Sequence, residues 1–491
     1  MEATLTKVID QAEPSIVSIA RIRQVPRENH DFQGRPFERP HPLLQQQESN
    51  APTDPENPDF QPNGYGAGII ISGPRSNERF VLTNYHVVQS GPISPTFDVG
   101  RSEDGVNLFV RFGDRRCCYG AIIAADPRSD LAVLRLDLKK SGIDENDLKP
   151  IDWSASTPVR KGQLVVMLGN PYSLAHDGSA SASWGMVSNL ARRPLPWTED
   201  QISRFMMYRL GTLIQIDGRL NLGTSGGPLL NLRGELIGLT TSLAAVEGYE
   251  KSAGFAIPLD DLTRRIVKSL VAGQEVDYGM LGIEPENVKP SDLRSLAQEQ
   301  GIELKQSSAA RVRSVVKDAP AYRAGIMEND IVLSVADIPI HSEYDLMRVV
   351  GLHAPESEVE VMVLRKHSPK PFPVKVTLGK WPVWEDERII ETSPRFPSWR
   401  GITVDYPTGR RKYSGPGDPY RRAVVVTKVV PDSIAHSAGI QPGVFITEVN
   451  RVPVQTPGEF RDATKSLRGP VELRLYDDQR HYEGPKVVIG E

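Results

Sequence analysis

The hexapeptide Gly223-Thr224-Ser225-Gly226-Gly227-Pro228 stands between two apolar stretches, 213–216 and 229–230. Three glycines around one serine predict a tight turn between two strands, with the hydroxyl exposed and the neighbouring backbone N–H groups unshielded. Such a turn suits a nucleophile with nearby donors for a developing negative charge. It equally suits an ordinary polar loop, because Gly-Ser turns are common. The choice depends on whether a base and an orienting acid occur elsewhere in the chain.

Two ionisable residues lie at the ends of predicted strands, where they could supply that base and acid. His86 follows the apolar strand 79–83, and Asp130 directly precedes the apolar stretch 131–134. His86 could accept the proton of Ser225, and Asp130 could orient the imidazole and stabilise its charged form. Each is more often a structural residue when it occurs alone. Their order along the chain is that of chymotrypsin-type triads, which favours the catalytic interpretation.

The wider sequence predicts a multidomain protein whose first part is rich in β-structure. At 491 residues the chain exceeds the size at which a single core stops growing, so we expect two to four domains. Short apolar stretches interrupted by Gly, Pro and Asp predict an all-β barrel or sandwich in the first part. Residues 24–63 are rich in Pro, Gln, Asn and charge, and they predict a long mobile loop. A helix is expected over 259–270.

The composition excludes several classes of protein. Charged residues make up 24% of the chain and the net charge is −4, without the basic excess typical of nucleic-acid binding. No apolar stretch could span a bilayer, and the first residues lack a signal-peptide pattern, so we expect a cytoplasmic chain or one that has lost a targeting segment. The only cysteines, Cys117 and Cys118, are adjacent and match no metal-ligand pattern. No phosphate-binding loop occurs either, so no cofactor is expected.

The C-terminal part of the chain contains two related segments of about a hundred residues each, a normal size for a small domain. The sequence Met-Leu-Gly-Ile at 280–283 corresponds to Trp-Arg-Gly-Ile at 399–402, and the stretch 319–326 corresponds to 432–440. Each copy continues with a strand, a proline-containing turn and a helix. The sequence therefore predicts two domains of the same type after the β-rich part.

Together these motifs resemble the HtrA/Deg family of ATP-independent serine proteases. The resemblance rests on the blocks Thr-Asn-Tyr-His-Val-Val around His86, Asp-Leu-Ala-Val-Leu after Ser129, and Gly-Thr-Ser-Gly-Gly-Pro around Ser225, followed by the two repeats. It implies catalysis by His86, Asp130 and Ser225. It also implies a mainly β fold: a trypsin-like double six-stranded β-barrel over 1–273, PDZ domains over 277–380 and 396–491, and a linker over 381–395 that permits some relative motion.

The resemblance assigns further roles around the serine. The backbone N–H groups of Gly223, Thr224 and Ser225 would form the oxyanion hole, although relatives usually carry Asn where this chain has Thr224. Leu220 matches a position that lines the specificity pocket and would favour small aliphatic residues. Arg219 stands at the chymotrypsin-like position of the pocket floor. It either faces the pocket and extends cleavage to acidic residues, or points to solvent or to a nearby glutamate.

The resemblance also predicts peptide-binding loops in the two repeats. In PDZ domains such a loop offers N–H groups to a peptide C-terminal carboxylate, and the peptide adds to the sheet as a strand. The second copy is less regular, so it either binds peptides differently or serves packing and assembly. The matching residues are Gly279, Met280, Leu281, Gly282 and Ile283 in the first copy, and Trp399, Arg400, Gly401 and Ile402 in the second.

The implied function is that of an ATP-independent serine endopeptidase that degrades unfolded or damaged proteins, with PDZ domains that bind substrate or activating peptide C-termini. A homotrimer or larger cage is expected, with no metal and no nucleic acid. The resemblance implies a periplasmic or cell-envelope location if a leader was removed, and a cytoplasmic location stays open. The alternative is a holdase or PDZ scaffold with an idle triad, for example because Thr224 restricts the backbone of the oxyanion hole.

Overall fold

The computed structural model of the chain divides it into two units, 1–276 with 387–393 and 277–386 with 394–491. The predicted loop 24–63 lies outside the described residues apart from Asn57 and Phe60, and so does Arg219. The described residues are 1–23, 57, 60, 64–75, 77–88, 106–154, 157–170, 178–192, 212–218, 220–221, 223–241, 253–383, 389–409, 421–476 and 484–490.

The first unit contains a closed barrel of six antiparallel strands, preceded by helix α1 (Glu2–Ala12). Its strands are β1 (Ile16–Arg23), β2 (Gly64–Ser72), β3 (Arg79–Asn84), β4 (Val106–Phe112), β5 (Cys117–Asp126) and β6 (Leu131–Leu136). They pair in the order β5-β4-β1-β2-β3-β6, and β5 also pairs with β6 to close the barrel. Alternate side chains such as Val17, Ile19 and Val81 fill its interior. The short helices α2 (Tyr85–Val88) and α3 (Leu138–Ser141) follow β3 and β6.

A second closed barrel completes the first unit and confirms the predicted double β-barrel. Its strands are β7 (Leu164–Gly169), β8 (Ser181–Arg192), β9 (Leu213–Ile216), β10 (Pro228–Asn231), β11 (Leu236–Thr241) and β12 (Gly254–Pro258). They pair in the order β10-β11-β12-β9-β8-β7. Helix α4 (Asp261–Val271) follows, close to the predicted 259–270, and the Asp260 side chain caps it by accepting the Thr263 N–H at 2.9 Å.

The first repeat forms a small α+β domain. Its sheet has the order β14-β15-β16-β18-β19, with β17 beside β16, and β13 pairs separately with β20. The elements are β13 (Gly279–Met280), β14 (Ile283–Asn287), α5 (Pro290–Glu299), β15 (Ala310–Val315), α6 (Pro320–Arg323), β16 (Ile331–Val335), β17 (Ile338–Pro339), α7 (Glu343–Gly351), β18 (Glu358–Leu364), β19 (Phe372–Thr377) and β20 (Gly379–Lys380).

The segment between the repeats contributes a strand to the first barrel. Strand β21 (Ile390–Glu391) pairs antiparallel with β5, with Ile390 opposite Ala125. The N–H groups of Thr392 and Ser393 donate to the Gly273 carbonyl at 2.8 and 2.9 Å. Part of the predicted linker 381–395 is thus an edge strand bound to the first unit, because β5 leaves one side of its end open to pairing.

The second repeat has the same architecture as the first. Its sheet order is β22-β23-β24-β26-β27, with β25 beside β24, and the equivalent order in the two domains bears out the internal repeat. The elements are β22 (Ile402–Asp405), β23 (Val424–Val429), α8 (Ile434–Ser437), β24 (Phe445–Val449), β25 (Val452–Pro453), α9 (Pro457–Thr464), β26 (Val471–Leu475) and β27 (Lys486–Ile489), and short 3-10 helices occur at Glu13–Ser15, Glu145–Asp147 and Pro407–Gly409.

Candidate active site

His86 and Asp130 are in direct contact at the end of the first barrel. The His86 Nδ1 atom lies 2.9 and 2.8 Å from the two Asp130 carboxylate oxygens, and the His86 backbone N–H donates to Asp130 Oδ1 at 3.0 Å. Asp130 is buried, whereas the His86 side chain is 22% exposed. Because Nδ1 faces the carboxylate, Nε2 points away from it and is the ring nitrogen available to a nucleophile.

The backbone of Asp130 is held by the residues beside His86. Its φ of +56° lies in the left-handed region, which is uncommon for a residue other than glycine. The Asp130 carbonyl accepts the Tyr85 N–H at 2.9 Å and the Asn84 side-chain amide at 3.0 Å. The neighbours of His86 therefore bind the Asp130 backbone while His86 binds the carboxylate, which fixes the carboxylate against the imidazole.

A buried ion pair that the sequence did not predict supports the turn that leads to Asp130. Arg128 Nε donates to Asp126 Oδ1 at 2.6 Å, and the same guanidinium donates to the Val276 carbonyl and lies 3.7 Å from Glu275. The pair holds the short connection between β5 and β6 that ends at Asp130. The signal in the sequence was an arginine two residues after a strand-ending aspartate, a pattern that is also typical of ordinary turns.

Ser225 is buried in the turn before β10, and its backbone is bound to the first barrel. The Ser225 carbonyl accepts the Ala67 N–H of β2 at 2.7 Å. A Cβ atom at Gly226 would collide with the Ala67 carbonyl and the Thr83 hydroxyl, so glycine permits this close approach. Thr83 lies on β3, which continues into His86. The serine turn thus packs against β2 and β3, and His86 lies two residues beyond the end of β3.

Two of the three predicted oxyanion donors, Thr224 and Gly223, differ in their hydrogen bonds. The Thr224 N–H donates to the Asn221 carbonyl at 3.2 Å, and the Thr224 hydroxyl donates to the same oxygen at 2.7 Å. The Thr224 N–H is therefore used within the turn. Gly223 has φ of +95°, and its N–H has no hydrogen-bond partner among the described residues. The oxyanion role of Gly223 and Ser225 stays a prediction.

The predicted pocket residues are only partly described. Leu220 is buried and packs in the core of the second barrel with Met167, Ile214 and Ile216. Because Arg219 and the loop 242–252 lie outside the described residues, both alternatives for Arg219 stay predictions.

In the first repeat, the predicted peptide-binding loop turns its carbonyl groups towards its own domain. The Leu281 carbonyl accepts the Ala321 N–H at 2.8 Å, and the Gly282 carbonyl accepts the Val316 N–H at 3.0 Å. In a trans peptide the following N–H points the opposite way, so the N–H groups of Gly282 and Ile283 face away from these partners. Gly282 has φ of +76°, which favours glycine at this position.

In the second repeat, the equivalent loop is closed by its own hydrogen bonds. The Ile402 N–H donates to the Trp399 carbonyl at 2.8 Å, and the Trp399 N–H donates to the Ile402 carbonyl at 2.9 Å. The two residues between them, Arg400 and Gly401, have φ of +49° and +90°, as in a type I′ turn. The Arg400 guanidinium donates to three carbonyls of its own domain, those of Gly469, Ile489 and Gly490.

Three further features of the described residues bear on function: possible metal ligands, the cysteine thiols and possible membrane-spanning helices. The described residues contain no cluster of three or more His, Cys, Asp or Glu side chains able to hold a metal ion. Burial raises the pKa of Cys118 to about 12, so this thiol stays protonated at neutral pH. Among the described helices, none has the length and apolar character needed to cross a membrane.

Comparisons with known families match three parts of the chain. The model of a trypsin-like peptidase domain matches residues 66–239, a range that contains His86, Asp130 and Ser225. Two models of PDZ domains match 279–376 and 425–476, one in each repeat. The two repeats are therefore PDZ domains, as the sequence predicted.

Curated relatives match the chain over almost its full length. Proteins named "Probable periplasmic serine endoprotease DegP-like" are 28% identical in Pseudomonas fluorescens and 29% identical in Ectopseudomonas mendocina, covering 94% of this chain and 88% of each relative. The solved structure of the HtrA-type protease AlgW with tripeptide has a TM-score of 0.52 at 22% identity, covering 78% of this chain and 99% of that one, and supports the fold. The chain is therefore a serine protease with a trypsin-like peptidase domain followed by two PDZ domains, and it is similar over almost its full length to DegP-like endoproteases.

Proposed function

We propose that Ser225, His86 and Asp130 form the catalytic triad of an ATP-independent endopeptidase. The observation that supports this assignment best is the pairing of His86 Nδ1 with the buried Asp130 carboxylate, next to the strand against which the serine turn packs. His86 Nε2 takes the proton of the Ser225 hydroxyl as the oxygen attacks the scissile carbonyl. Asp130 keeps the imidazole in the correct tautomer and stabilises its positive charge.

The tetrahedral intermediate is stabilised by the N–H groups of Gly223 and Ser225, and the left-handed conformation of Gly223 supports this role. Collapse of the intermediate breaks the peptide bond as His86 returns the proton to the leaving amine. Water, activated by the same histidine, then hydrolyses the acyl-enzyme at Ser225. Leu220 contributes to a pocket that favours small aliphatic residues.

The first PDZ loop binds peptides through a free C-terminal carboxylate. The N–H groups of Gly282 and Ile283 face away from the loop's own carbonyl partners, which supports this role. Relatives named as periplasmic endoproteases and HtrA-type structures with bound peptides support a role in degrading unfolded proteins of the cell envelope. Assembly into a homotrimer or larger cage is part of the same proposal.

Covalent labelling of the full chain tests the triad. A fluorophosphonate is expected to label Ser225, and casein hydrolysis is expected to fall by about 10⁴-fold or more in Ser225→Ala and His86→Ala. Ser154→Ala, at an exposed serine, is the matched control and keeps full activity. Absence of labelling and of hydrolysis by the unmodified protein, with or without an activating peptide, would favour the holdase or scaffold function instead.

A further inference from the structure

The first PDZ domain has a strand edge to which a peptide can pair, and one residue of that edge cannot donate a hydrogen bond. Among the described strands, β14 pairs only with β15, and α7 packs on its other side. We propose that this domain holds a peptide by its carboxylate and final residue and only weakly upstream, because Pro285 in the middle of β14 has no N–H. The proposal rests on the proposed peptide binding by the first PDZ domain.

The register of β14 shows which of its residues face the open edge. Val288 donates its N–H to the Ala309 carbonyl at 3.1 Å, so these two residues form a hydrogen-bonded pair. Hydrogen-bonded and non-bonded pairs alternate in an antiparallel ladder. Counting back, Glu286 is bonded to β15, whereas Pro285 and Asn287 direct their backbone groups to the open edge.

Two further hydrogen bonds agree with this alternation. The Val312 N–H, directly opposite Pro285, donates to the Asp330 carbonyl on the far side of β15 at 2.8 Å. At the start of β14, the Gly282 carbonyl is bonded to Val316, so Ile283 faces the open edge. The open edge therefore presents Ile283, Pro285 and Asn287 in succession, with N–H groups at the first and third positions only.

A peptide that adds to this edge meets these residues in pairs. Its final residue donates its N–H to the Ile283 carbonyl, and its carboxylate accepts the N–H groups of the loop. The third residue from the end donates to the Pro285 carbonyl, but its own carbonyl finds no donor there. This residue pair therefore has one hydrogen bond, whereas a complete pair has two. The third residue from the peptide's end thus contributes little to affinity.

The far end of the edge is closed by a side chain. The Glu343 N–H donates to Asn287 Oδ1 at 2.9 Å, and Asn287 Nδ2 donates to Glu343 Oε1 at 3.2 Å. These bonds link the end of β14 to the first turn of α7. A longer peptide would have to enter between β14 and α7 where these hydrogen bonds already join them. This is a second and independent reason why the domain binds only the C-terminal end of a peptide.

Restoring the missing donor is the direct test. The test uses the full chain with Ser225→Ala, which prevents cleavage. In that background Pro285→Ala adds a backbone N–H at position 285, opposite the third residue from the peptide's C-terminus. A fluorescein-labelled octapeptide with a free carboxylate and a C-terminal valine is expected to bind about two- to tenfold more tightly, the range for one hydrogen bond, as measured by fluorescence anisotropy. A free dipeptide competitor lacks the third residue, so its affinity is expected to stay unchanged.

Pro339→Ala, in β17 and away from the edge, is the matched control and leaves the affinity unchanged. Pro285→Val serves as a second variant, and thermal unfolding verifies that all variants are folded. Unchanged or weaker octapeptide binding in both folded variants would overturn the inference while leaving the proposed function intact. No binding of the octapeptide by any of these proteins would overturn both.

A separate observation leads to a second inference, on the second PDZ domain. The Val430 N–H donates to the Gly401 carbonyl at 2.9 Å, so by the same alternation Ile402 faces the open edge of β22. Both backbone groups of Ile402 are paired with Trp399. The hydrogen bonds that the final residue of a peptide would form are thus already formed within the chain.

The Trp399 side chain extends this obstruction across the groove. Its ring meets the buried Phe460 of α9 edge to face, with ring centroids 5.9 Å apart. The Arg400 guanidinium lies over the same ring, 4.9 Å from its centroid. We infer that Trp399 fills the place of a ligand's final residue, so that the second PDZ domain does not bind peptide C-termini in this conformation.

Binding stoichiometry tests this second inference. By titration calorimetry, the Ser225→Ala chain is expected to bind one octapeptide per chain. When Trp399→Ala and Arg400→Ala are added to it, the number of octapeptides bound per chain is expected to rise to two. Trp184→Ala, at an exposed tryptophan of the first unit, is the control and keeps one site. Two sites before the substitutions, or one site in the folded double variant, would overturn the inference.

Discussion

The two PDZ domains share one strand order but use the loop before the edge strand in different ways. In the first domain, Leu281 is buried and only Gly282 has a positive φ, so the following N–H groups face outward. In the second, Arg400 also has a positive φ, and its guanidinium is bound to carbonyls at the end of its own sheet. The residue before the shared glycine therefore decides whether the loop opens towards a ligand or closes on itself.

The two domains also share a buried cluster of charges. Lys380, at the end of the first domain, is 1% exposed and lies 3.1 Å from both Asp277 and Asp405. Arg395 forms a further ion pair with Asp277. This cluster joins residues of both domains, so the difference between their loops occurs within one connected unit.

The largest effect is expected when this cluster is broken. Lys380→Met leaves the Asp277 and Asp405 carboxylates buried without their lysine, and it should lower the free energy of unfolding of the second unit by about 3–5 kcal/mol. Urea denaturation measures the change. Lys375→Met, which removes an exposed pair with Glu358, should cost less than about 1 kcal/mol. Equal losses in the two variants would show that the cluster does not join the domains.

A matched pair of glycine variants compares the loops directly. Gly282→Ala and Gly401→Ala each place a Cβ at a positive φ and against the residue opposite, Ala319 or Ser433. The strain is about 1–2 kcal/mol in each loop. Peptide affinity should fall about 5- to 30-fold in Gly282→Ala and stay unchanged in Gly401→Ala, by fluorescence anisotropy in the Ser225→Ala background. Similar losses of affinity would mean that both loops bind peptides.

An effect smaller than that of Lys380→Met is expected from a contact between the domains. Tyr406 of the second domain donates a hydrogen bond to Glu356 of the first, and its burial beside that carboxylate raises the pKa of Tyr406 above its ordinary value of 10.0. Tyr406→Phe should cost about 1.5–3 kcal/mol. Tyr322→Phe, at an exposed tyrosine, should cost nothing measurable.

The same pair predicts a pH dependence. Because the folded protein keeps the Tyr406 proton more tightly than the unfolded chain, stability should decrease as the pH rises above about 10. This part of the alkaline loss should be missing in Tyr406→Phe. Urea midpoints at pH 8 and pH 10.5 measure it, and an equal decrease in both proteins would contradict the assignment.

The smallest effects concern the caps of the two groove helices. Ser342 accepts the Asp345 N–H at 3.1 Å, and Thr456 accepts the Glu459 N–H at 3.1 Å in a full capping box. Alanine at either position should cost about 1 kcal/mol. Thr456→Ala should cost more, because it also loosens the reciprocal bond from the Glu459 side chain. Thermal unfolding compares the two variants, and the reverse order would contradict the role of the box.

Much of the site could be predicted from local sequence. A serine among glycines, a histidine after an apolar strand and an aspartate before another are each visible within about six residues, and their chain order points to one type of chemistry. Helix α4 follows from its apolar spacing and the capping Asp260. These features depend on neighbours in sequence, which is why a single chain is enough to find them.

Other features depend on which strands become neighbours, and only the tertiary structure decided them. The two loops predicted to bind peptides share a Gly-Ile pair, yet Arg400 closes one of them by reaching carbonyls almost seventy and ninety residues away in the chain. Pro285 is informative only once the register assigns its backbone to the open edge. The direction of each backbone hydrogen bond in a sheet is set by which strands pair and in which register. Residue type alone does not determine that pairing, because the paired strands are separated by long loops.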